Sequence, residues 1–157
     1  MSGRQKHARQ RQSETEITDQ VRAIWNRAHF IRFVGYKLER IAAGECESSL
    51  KLRTDHLQQN NYVHAGVLAT MADHTAGAAG GSLVGSNEIV LSIEFKINML
   101  RPAVGDALRC EAKVLHEGKS IIVVESWVYT QKHIPKTGAT REKLTAKATV
   151  TLAVVNG

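Results

Sequence analysis

"NNYVHAGVLATMADHTAGAAGGS", residues 60–82, consists largely of Ala, Gly, Thr and Ser, yet holds His64, His74 and a single carboxylate, Asp73. From Ala65 to about Ser82 no strand-like alternation occurs, and the run of alanines predicts a helix of about four to five turns. Each glycine weakens such a helix by about 1 kcal/mol relative to Ala. The segment therefore needs support from outside, and its small residues allow another layer to approach closely. One stripe of the helix carries Gly66, Ala69, Asp73, Ala76, Gly77 and Gly80, spaced by three, four and seven residues. Leu68, Met71, Ala72, Thr75 and Ala79 lie around the other sides.

The outside support is read from the second half of the chain. In NEIVLSIEFKINML, residues 87–100, Ile89, Leu91, Ile93, Phe95, Ile97 and Met99 alternate with Val90, Ser92, Glu94, Lys96 and Asn98. A period of two over that length predicts a strand with one buried face. Pro102 and Gly105-Asp106 turn the chain. Leu108, Cys110, Ala112 and Val114 alternate again, and Gly118 opens a hairpin into IIVVESWVYT. HIPKTGATREK reads as a polar loop longer than a hairpin needs, followed by a closing strand through Leu144, Ala146, Ala148, Val150, Leu152 and Val154. Tyr36 to Arg53 holds two extended segments hinged near Ala43-Gly44. Short connections favour an antiparallel sheet, so the expected fold class is α+β, a curved antiparallel sheet around one long central helix. An additional N-terminal helix is expected with Thr18 as N-cap and Val21, Ile24, Trp25 and Ala28 on its apolar face, ending at Gly35.

The 157 residues suit one domain, and 43% hydrophobic with 23% charged residues is ordinary for a globular protein. No apolar run is long enough to span a bilayer, and no secretion signal opens the chain. Cys46 and Cys110 read as reduced core thiols, consistent with a cytoplasmic location. Of the net charge of +6, four units come from Arg4, Lys6, Arg9 and Arg11 in residues 1–13, which hold no acid, leaving +2 for the body. Residues 1–15 are therefore expected to form a basic, disordered arm ahead of a single domain over 16–157. The arm's Arg-rich, acid-poor composition is also a faint transit-peptide signal.

A lone Asp on a helix is often a solvated surface residue. The neighbours of Asp73 are nearly all Gly and Ala, which suits a packed face or the floor of a ligand site, and a buried carboxylate is costly without a partner or a task. At the helix start, His64-Ala65-Gly66 presents free backbone N–H groups at the positive end of the dipole. Upstream, Gln58, Gln59, Asn60 and Asn61 form an amide-rich run able to orient a carbonyl or a water. A carboxylate plus an oxyanion hole is the minimum kit for hydrolysing an activated acyl group.

At these residues, HAGVLATMAD with the preceding LQQNNYV resembles the signature of hotdog-fold acyl-CoA thioesterases of the phenylacetate-pathway type, with Asp nine positions after His. The resemblance continues through LSIEFKINMLRPAVGDALRCEAKVLHEGKS and covers roughly residues 35–155. It implies that Asp73 is the catalytic carboxylate, acting as nucleophile or as general base, and that Gln58 positions water or the thioester. It places the oxyanion donor at the backbone of Ala65, where the family usually has Gly; an Ala serves there only if its dihedrals suit a side chain. Gly66 belongs to the same helix start. Ser92 matches a hydroxyl that holds the catalytic water, and Gly77 stands where some relatives carry Thr. His64 is either an acid–base group or a structural residue fixing the loop, and His74 faces away from the Asp73 stripe. The resemblance also implies homodimers or homotetramers with sites at a two-fold interface, Asp73 of one subunit facing Gln58 and Ala65 of the other. Coenzyme A would be part of the substrate, its phosphates near some of Lys96, Arg101, Lys132, Lys136, Arg141 and Lys143.

No nucleophile elbow, P-loop, dinucleotide fingerprint or metal-binding cluster occurs, so no metal and no separate cofactor is expected. Neither nucleic acid nor membrane is an expected partner. The rival readings are a non-catalytic acyl-CoA sensor, a hotdog dehydratase using His64 with Asp73, and a nucleic-acid module using the basic arm. The last of these predicts binding that falls steeply with salt.

Overall fold

In the computed structural model, which describes residues 13–157, the glycine-rich helix is α3 (Ala65–Gly81) and it lies across a six-stranded antiparallel sheet. The strands are β1 (Lys37–Ala42), β2 (Glu45–Lys51), β3 (Glu88–Met99), β4 (Ala107–Glu117), β5 (Ile121–Ile134) and β6 (Ala139–Asn156). Their order is β1-β2-β4-β5-β6-β3, so β3 leaves the helix and returns to the far edge beside β6. Residues 1–12, most of the expected arm, lie outside the described residues.

The side chains of α3 explain its seat on the sheet. Leu68, Met71, Ala72, Thr75, Ala76, Ala79 and Gly80 are buried, whereas Asp73 and Gly77 are half-exposed on its flank. The expected small-residue stripe is therefore split: Ala76 and Gly80 face the sheet, and the rest of it does not. At Gly80 the approach is so close that a Cβ would lie 2.4 Å from Leu152 Cδ1. Buried hydroxyls tie the layers together: Ser48 and Thr75 share a hydrogen bond of 2.7 Å, and Ser126 Oγ donates to Ala72 O at 2.9 Å. Ser82 Oγ accepts from Gly44 N–H at 2.8 Å, just past the helix end.

The hairpins follow the sequence. Gly44 turns β1 into β2 at φ 75°, a conformation that favours glycine. Cys46 and Cys110 are buried free thiols on β2 and β4, and desolvation pushes both above the ordinary thiol range. One expected loop does not exist. β5 runs to Ile134 and β6 starts at Ala139, so HIPKTGATREK is mostly the end of a long hairpin closed by residues 135–138. Apart from the half-buried Ile134 its residues are exposed, and without a buried face they show no hydrophobic alternation.

β3 departs from its sequence reading in a more consequential way. Directly opposed residues in an antiparallel pair share a face. Val90 and Ser92 oppose Val154 and Leu152, then the register shifts, and Phe95, Ile97 and Met99 oppose Val150, Ala148 and Ala146. Ile93 is thus an extra residue, a β-bulge. It reverses the parity, so that Val90, Ser92, Phe95, Ile97 and Met99 face the helix side while Ile89 and Leu91 face outward. The expected continuous buried face is absent in the single chain: Leu91 is 52% and Ile93 60% exposed.

Helix α1 (Glu14–Arg27) begins earlier than its sequence reading. Ser13, not Thr18, is the N-cap, in a reciprocal capping box with Glu16. Thr18 Oγ1 instead donates to the Glu14 carbonyl within the helix. Residues 13–15 therefore belong to the folded helix rather than to an arm ending at 15. Ile17, Val21 and Trp25 are buried, but Ile24 is 43% exposed and off the packed face. A break at Ala28 leads into α2 (His29–Val34), which Gly35 terminates at φ 101°. α1 docks through Trp25, whose ring lies 4.4 Å from that of His74 on α3 at a tilt of 58°. Burial lowers the His74 pKa to about 4.

Two outcomes are expected. Gly80→Val drives a methyl into Leu152 and destabilises the fold by about 1–3 kcal/mol, measured by urea unfolding. His74 is buried in its neutral form, with a folded pKa below the unfolded value near 6.5. The unfolded state then binds more protons, so its contribution is complete above pH 6.5 and is lost as the pH falls to 4. The loss is at most about 3 kcal/mol, and His74→Phe flattens the stability-against-pH curve in that window.

Candidate active site

Asp73 sits two turns into α3, and the parity change at Ile93 brings Ser92 of β3 over it. The Ser92 hydroxyl donates to Asp73 Oδ1 at 2.7 Å. The serine expected on the polar face of the strand therefore reaches the carboxylate only because of the bulge. Among the described residues, no side-chain or backbone donor is recorded on Oδ2. Asp73 and Ser92 line a cavity of about 630 Å³ between α1, α3 and the start of β3.

The other expected residues lie elsewhere in the chain. Gln58, His64 and Ala65 line a second cavity of about 610 Å³ at the opposite end of β3, beside Met99, Leu100 and Arg101. His64 is the N-cap of α3 and its Nδ1 accepts from Gly66 N–H at 2.9 Å. Val67 N–H donates to His64 O at 2.9 Å. The Gly66 amide is thus consumed by the cap, which removes it as an oxyanion donor. Among the described residues this leaves Ala65 N–H as the first-turn donor without a partner, at a position that has no carbonyl four residues back to serve it. Ala65 is helical with no left-handed φ, so alanine suits the place where the family usually has glycine. With Nδ1 accepting, a neutral His64 carries its proton on Nε2 and is a donor there rather than a base. This favours the structural reading of His64.

Gln58 belongs to a tight loop shaped by its amides. Gln58 N–H donates to Tyr62 O at 2.8 Å and Asn60 N–H to Gln58 Oε1 at 2.5 Å. Asn61 takes the left-handed conformation at φ 62°, which Asn tolerates. Because Oε1 is engaged, the Gln58 NH₂ group remains to donate. Of the six basic candidates for phosphate contact, Arg101 lines this cavity, held by a hydrogen bond of 2.8 Å to Leu144 O. Lys132, Lys136, Arg141 and Lys143 lie along the β5–β6 hairpin end and its turn, and Lys96 on the outward face of β3. His74, expected to face away from Asp73, in fact lines the Asp73 cavity together with its partner Trp25. The contribution of α1 to this cavity was invisible to pattern reading, although the exposed Ile24 on an otherwise amphipathic helix is its trace. Among the described residues, no group of three or more His, Cys, Asp or Glu side chains is arranged to hold a metal. No helix among them is long and apolar enough to cross a membrane.

Within one chain, the carboxylate and the helix-start donors do not share a cavity. Both cavities adjoin β3, one at each end, and β3 is an edge strand whose outer side has no partner strand among the described residues.

Comparison with known proteins places this arrangement. The sequence profile of the Thioesterase superfamily matches residues 60–134, which include α3 and β3 through β5. A Saccharolobus solfataricus protein named as an esterase is 27% identical over 94 residues, covering 60% of this chain; the chain thus spans just under two thirds, 66%, of that relative's length. The 1,4-dihydroxy-2-naphthoyl-CoA hydrolase of Listeria monocytogenes is 27% identical over 92 residues, 59% of this chain and 75% of the relative. Among solved structures, a thioesterase family protein from Silicibacter pomeroyi superposes with a TM-score of 0.83 at 28% identity, covering 90% of this chain and 99% of its own. The E. coli PaaI protein from the phenylacetic acid degradation operon shares the fold, with a TM-score of 0.77 at 19% identity, over 92% of this chain and 96% of its own. The helix-on-curved-sheet architecture is the hotdog fold of these thioesterase structures, and the His64–Asp73 segment lies within the stretch, just under half of the chain, that is similar to the Thioesterase superfamily.

Proposed function

We propose that the protein hydrolyses acyl-CoA thioesters at composite sites shared by two copies of the chain, with Asp73 as the catalytic carboxylate. The observation that carries this reading is the separation of the site residues: Asp73 and Ser92 at one end of the unpaired β3, Gln58 and Ala65 at the other. A twelve-residue edge strand with exposed apolar side chains invites pairing. Two β3 strands paired antiparallel about a two-fold axis near Phe95–Lys96 would set residue 92 of one copy opposite residue 99 of the other. Each Asp73 cavity would then meet the partner's Gln58–Ala65 cavity, an isologous arrangement that closes as a dimer.

In such a site the thioester carbonyl oxygen points at Ala65 N–H, where the helix dipole adds to the hydrogen bond. Gln58 donates its NH₂ protons to the carbonyl or to the attacking water. Ser92 holds Oδ1 of Asp73, leaving Oδ2 to react. As general base, Oδ2 takes a proton from water while the water oxygen attacks the carbonyl carbon. The tetrahedral oxyanion collapses, the C–S bond breaks, and the proton passes from Asp73 to the departing CoA thiolate. As nucleophile, Oδ2 itself attacks the carbonyl carbon, the C–S bond breaks and CoA leaves as the thiolate, giving an acyl-enzyme anhydride. Water then hydrolyses the anhydride to the free acid and the Asp73 carboxylate, and the proton released goes to the thiolate. The guanidinium of Arg101, which lines the second cavity, suits a contact to CoA phosphate.

Asp73→Asn is expected to lower kcat for thiol release by about 10²–10⁴-fold while acyl-CoA still binds; turnover close to wild type would remove Asp73 from the mechanism, and tight binding without turnover in the wild type would favour the sensor. Co-expression of Asp73→Ala and Gln58→Ala chains tests the shared site. Half of randomly paired dimers are mixed and each has one site with both groups intact, so activity should return to about a quarter of wild type. Additive residual activities would mean that each site is built within a single chain.

A further inference from the structure

The cavity at Asp73 extends well beyond the carboxylate, and its shape bears on what it holds. Its floor runs along one flank of α3 from Asp73 to Gly77 and Gly81, at intervals of four residues. A Cβ built at Gly77 would meet nothing within 4 Å, and one at Gly81 only Val90 Cγ2 at 3.7 Å. The floor is thus a smooth channel rather than a packed face. One wall is β3, through Val90 and Ser92. The other is α1, whose Ile24 lines the cavity while remaining 43% exposed. The Trp25–His74 ring pair stands beside it, and burial keeps His74 neutral near pH 7.

We propose that α1 is the acyl-selecting wall of the site, and that the channel it forms with α3 and β3 takes a straight, uncharged acyl chain of medium length, with Gly77 and Ile24 setting its size. This rests on the reading of Asp73 as the catalytic carboxylate, since the chain must start at the thioester carbon beside it. From Asp73 to Gly81 the helix advances about 12 Å, which matches an extended acyl chain of roughly eight to ten carbons. A lining that is mainly apolar, with Arg27 and Glu88 the charged side chains on it besides Asp73, and a volume of about 630 Å³ suit such a chain. An acetyl group leaves most of the channel unfilled. A dicarboxylic acyl group would bring a further negative charge into a lining that carries Asp73 and Glu88 against Arg27 alone. A rigid ring has no use for a channel two helical turns long.

The test is a thiol-release series with acetyl-, hexanoyl-, octanoyl-, decanoyl-, palmitoyl-, phenylacetyl- and succinyl-CoA on the full-length protein. For the wild type, kcat/KM should peak at octanoyl or decanoyl, about tenfold or more above acetyl and succinyl. Gly77→Leu fills the floor and Ile24→Trp fills the wall. Each should shift the peak to hexanoyl or shorter, changing the decanoyl-to-hexanoyl ratio about tenfold. The two variants approach the channel from different helices, so a folding defect in one leaves the other decisive, and circular dichroism separates the cases. A wild-type preference for phenylacetyl-CoA, or a chain-length profile unmoved by both substitutions, overturns the proposal. If no acyl-CoA is hydrolysed, the reading of Asp73 fails, but the channel is still decided by binding. In a Trp127→Phe background, Trp25 is the remaining tryptophan of the two in the chain, and its fluorescence is titrated with 1-octanol, an uncharged eight-carbon probe. Saturable binding weakened about tenfold by Gly77→Leu supports the channel; no saturable binding, or binding unaffected by that change, overturns it.

Discussion

The close contact between α3 and the sheet is the constraint on which everything else depends. Helix axes normally stand off their neighbours by the length of intervening side chains, but here the buried positions include Ala72, Ala76, Ala79 and Gly80. At Gly80 the sheet approaches so near that not even a Cβ fits without moving Leu152. A helix so rich in glycine has little stability of its own. It is held by large sheet residues such as Leu108, Ile122, Val124 and Leu152, all fully buried, and by hydroxyl bridges from Ser48 and Ser126. The short distance also puts Asp73, on the helix flank, within reach of a side chain on β3.

That reach is made useful by a local irregularity. A regular β3 would carry Ser92 on the outward face and away from the helix. The extra residue at Ile93 turns Val90 and Ser92 inward without disturbing Phe95, Ile97 and Met99. The same bulge leaves Leu91 and Ile93 bare along the unpaired edge, so one device both supplies the hydrogen bond to Asp73 and shapes an edge able to accept another strand. At the other end of the strand, the α3 cap divides the helix-start amides. His64 occupies Gly66 N–H, and the donor left over belongs to Ala65.

Much of the architecture was legible because it follows local rules. The Ala-rich run 65–82, the alternation in 87–100, 107–117 and 121–130, and the turns at Gly44, Gly105 and Gly118 all depend on side-chain periodicity or backbone freedom within a few residues. Asp73 stood out because a carboxylate among glycines and alanines needs a reason. The missed features were non-local or depended on polar detail. Thr18 looked like a cap because it precedes apolar residues, yet Ser13 with Glu16 completes the reciprocal pair. The β5–β6 extension is exposed, so no alternation betrayed it. Ile24 fits the helical period but lies beside a cavity that exists only once α1 is docked on α3.

By itself the sequence determined the α+β class, the central helix and the hairpins, and it singled out Asp73 as a candidate, since periodicity, turn chemistry and an out-of-place charge are written residue by residue. Only the tertiary structure decided which way Ser92 points, which helix-start amide stays free, and that Asp73 and Gln58 stand in different cavities of one chain. The physical reason is that strand register, capping and cavity walls are settled between segments far apart in the chain. A single extra residue in a ladder exchanges the two faces of a strand, and no local pattern in Ser92-Ile93-Glu94 records that exchange.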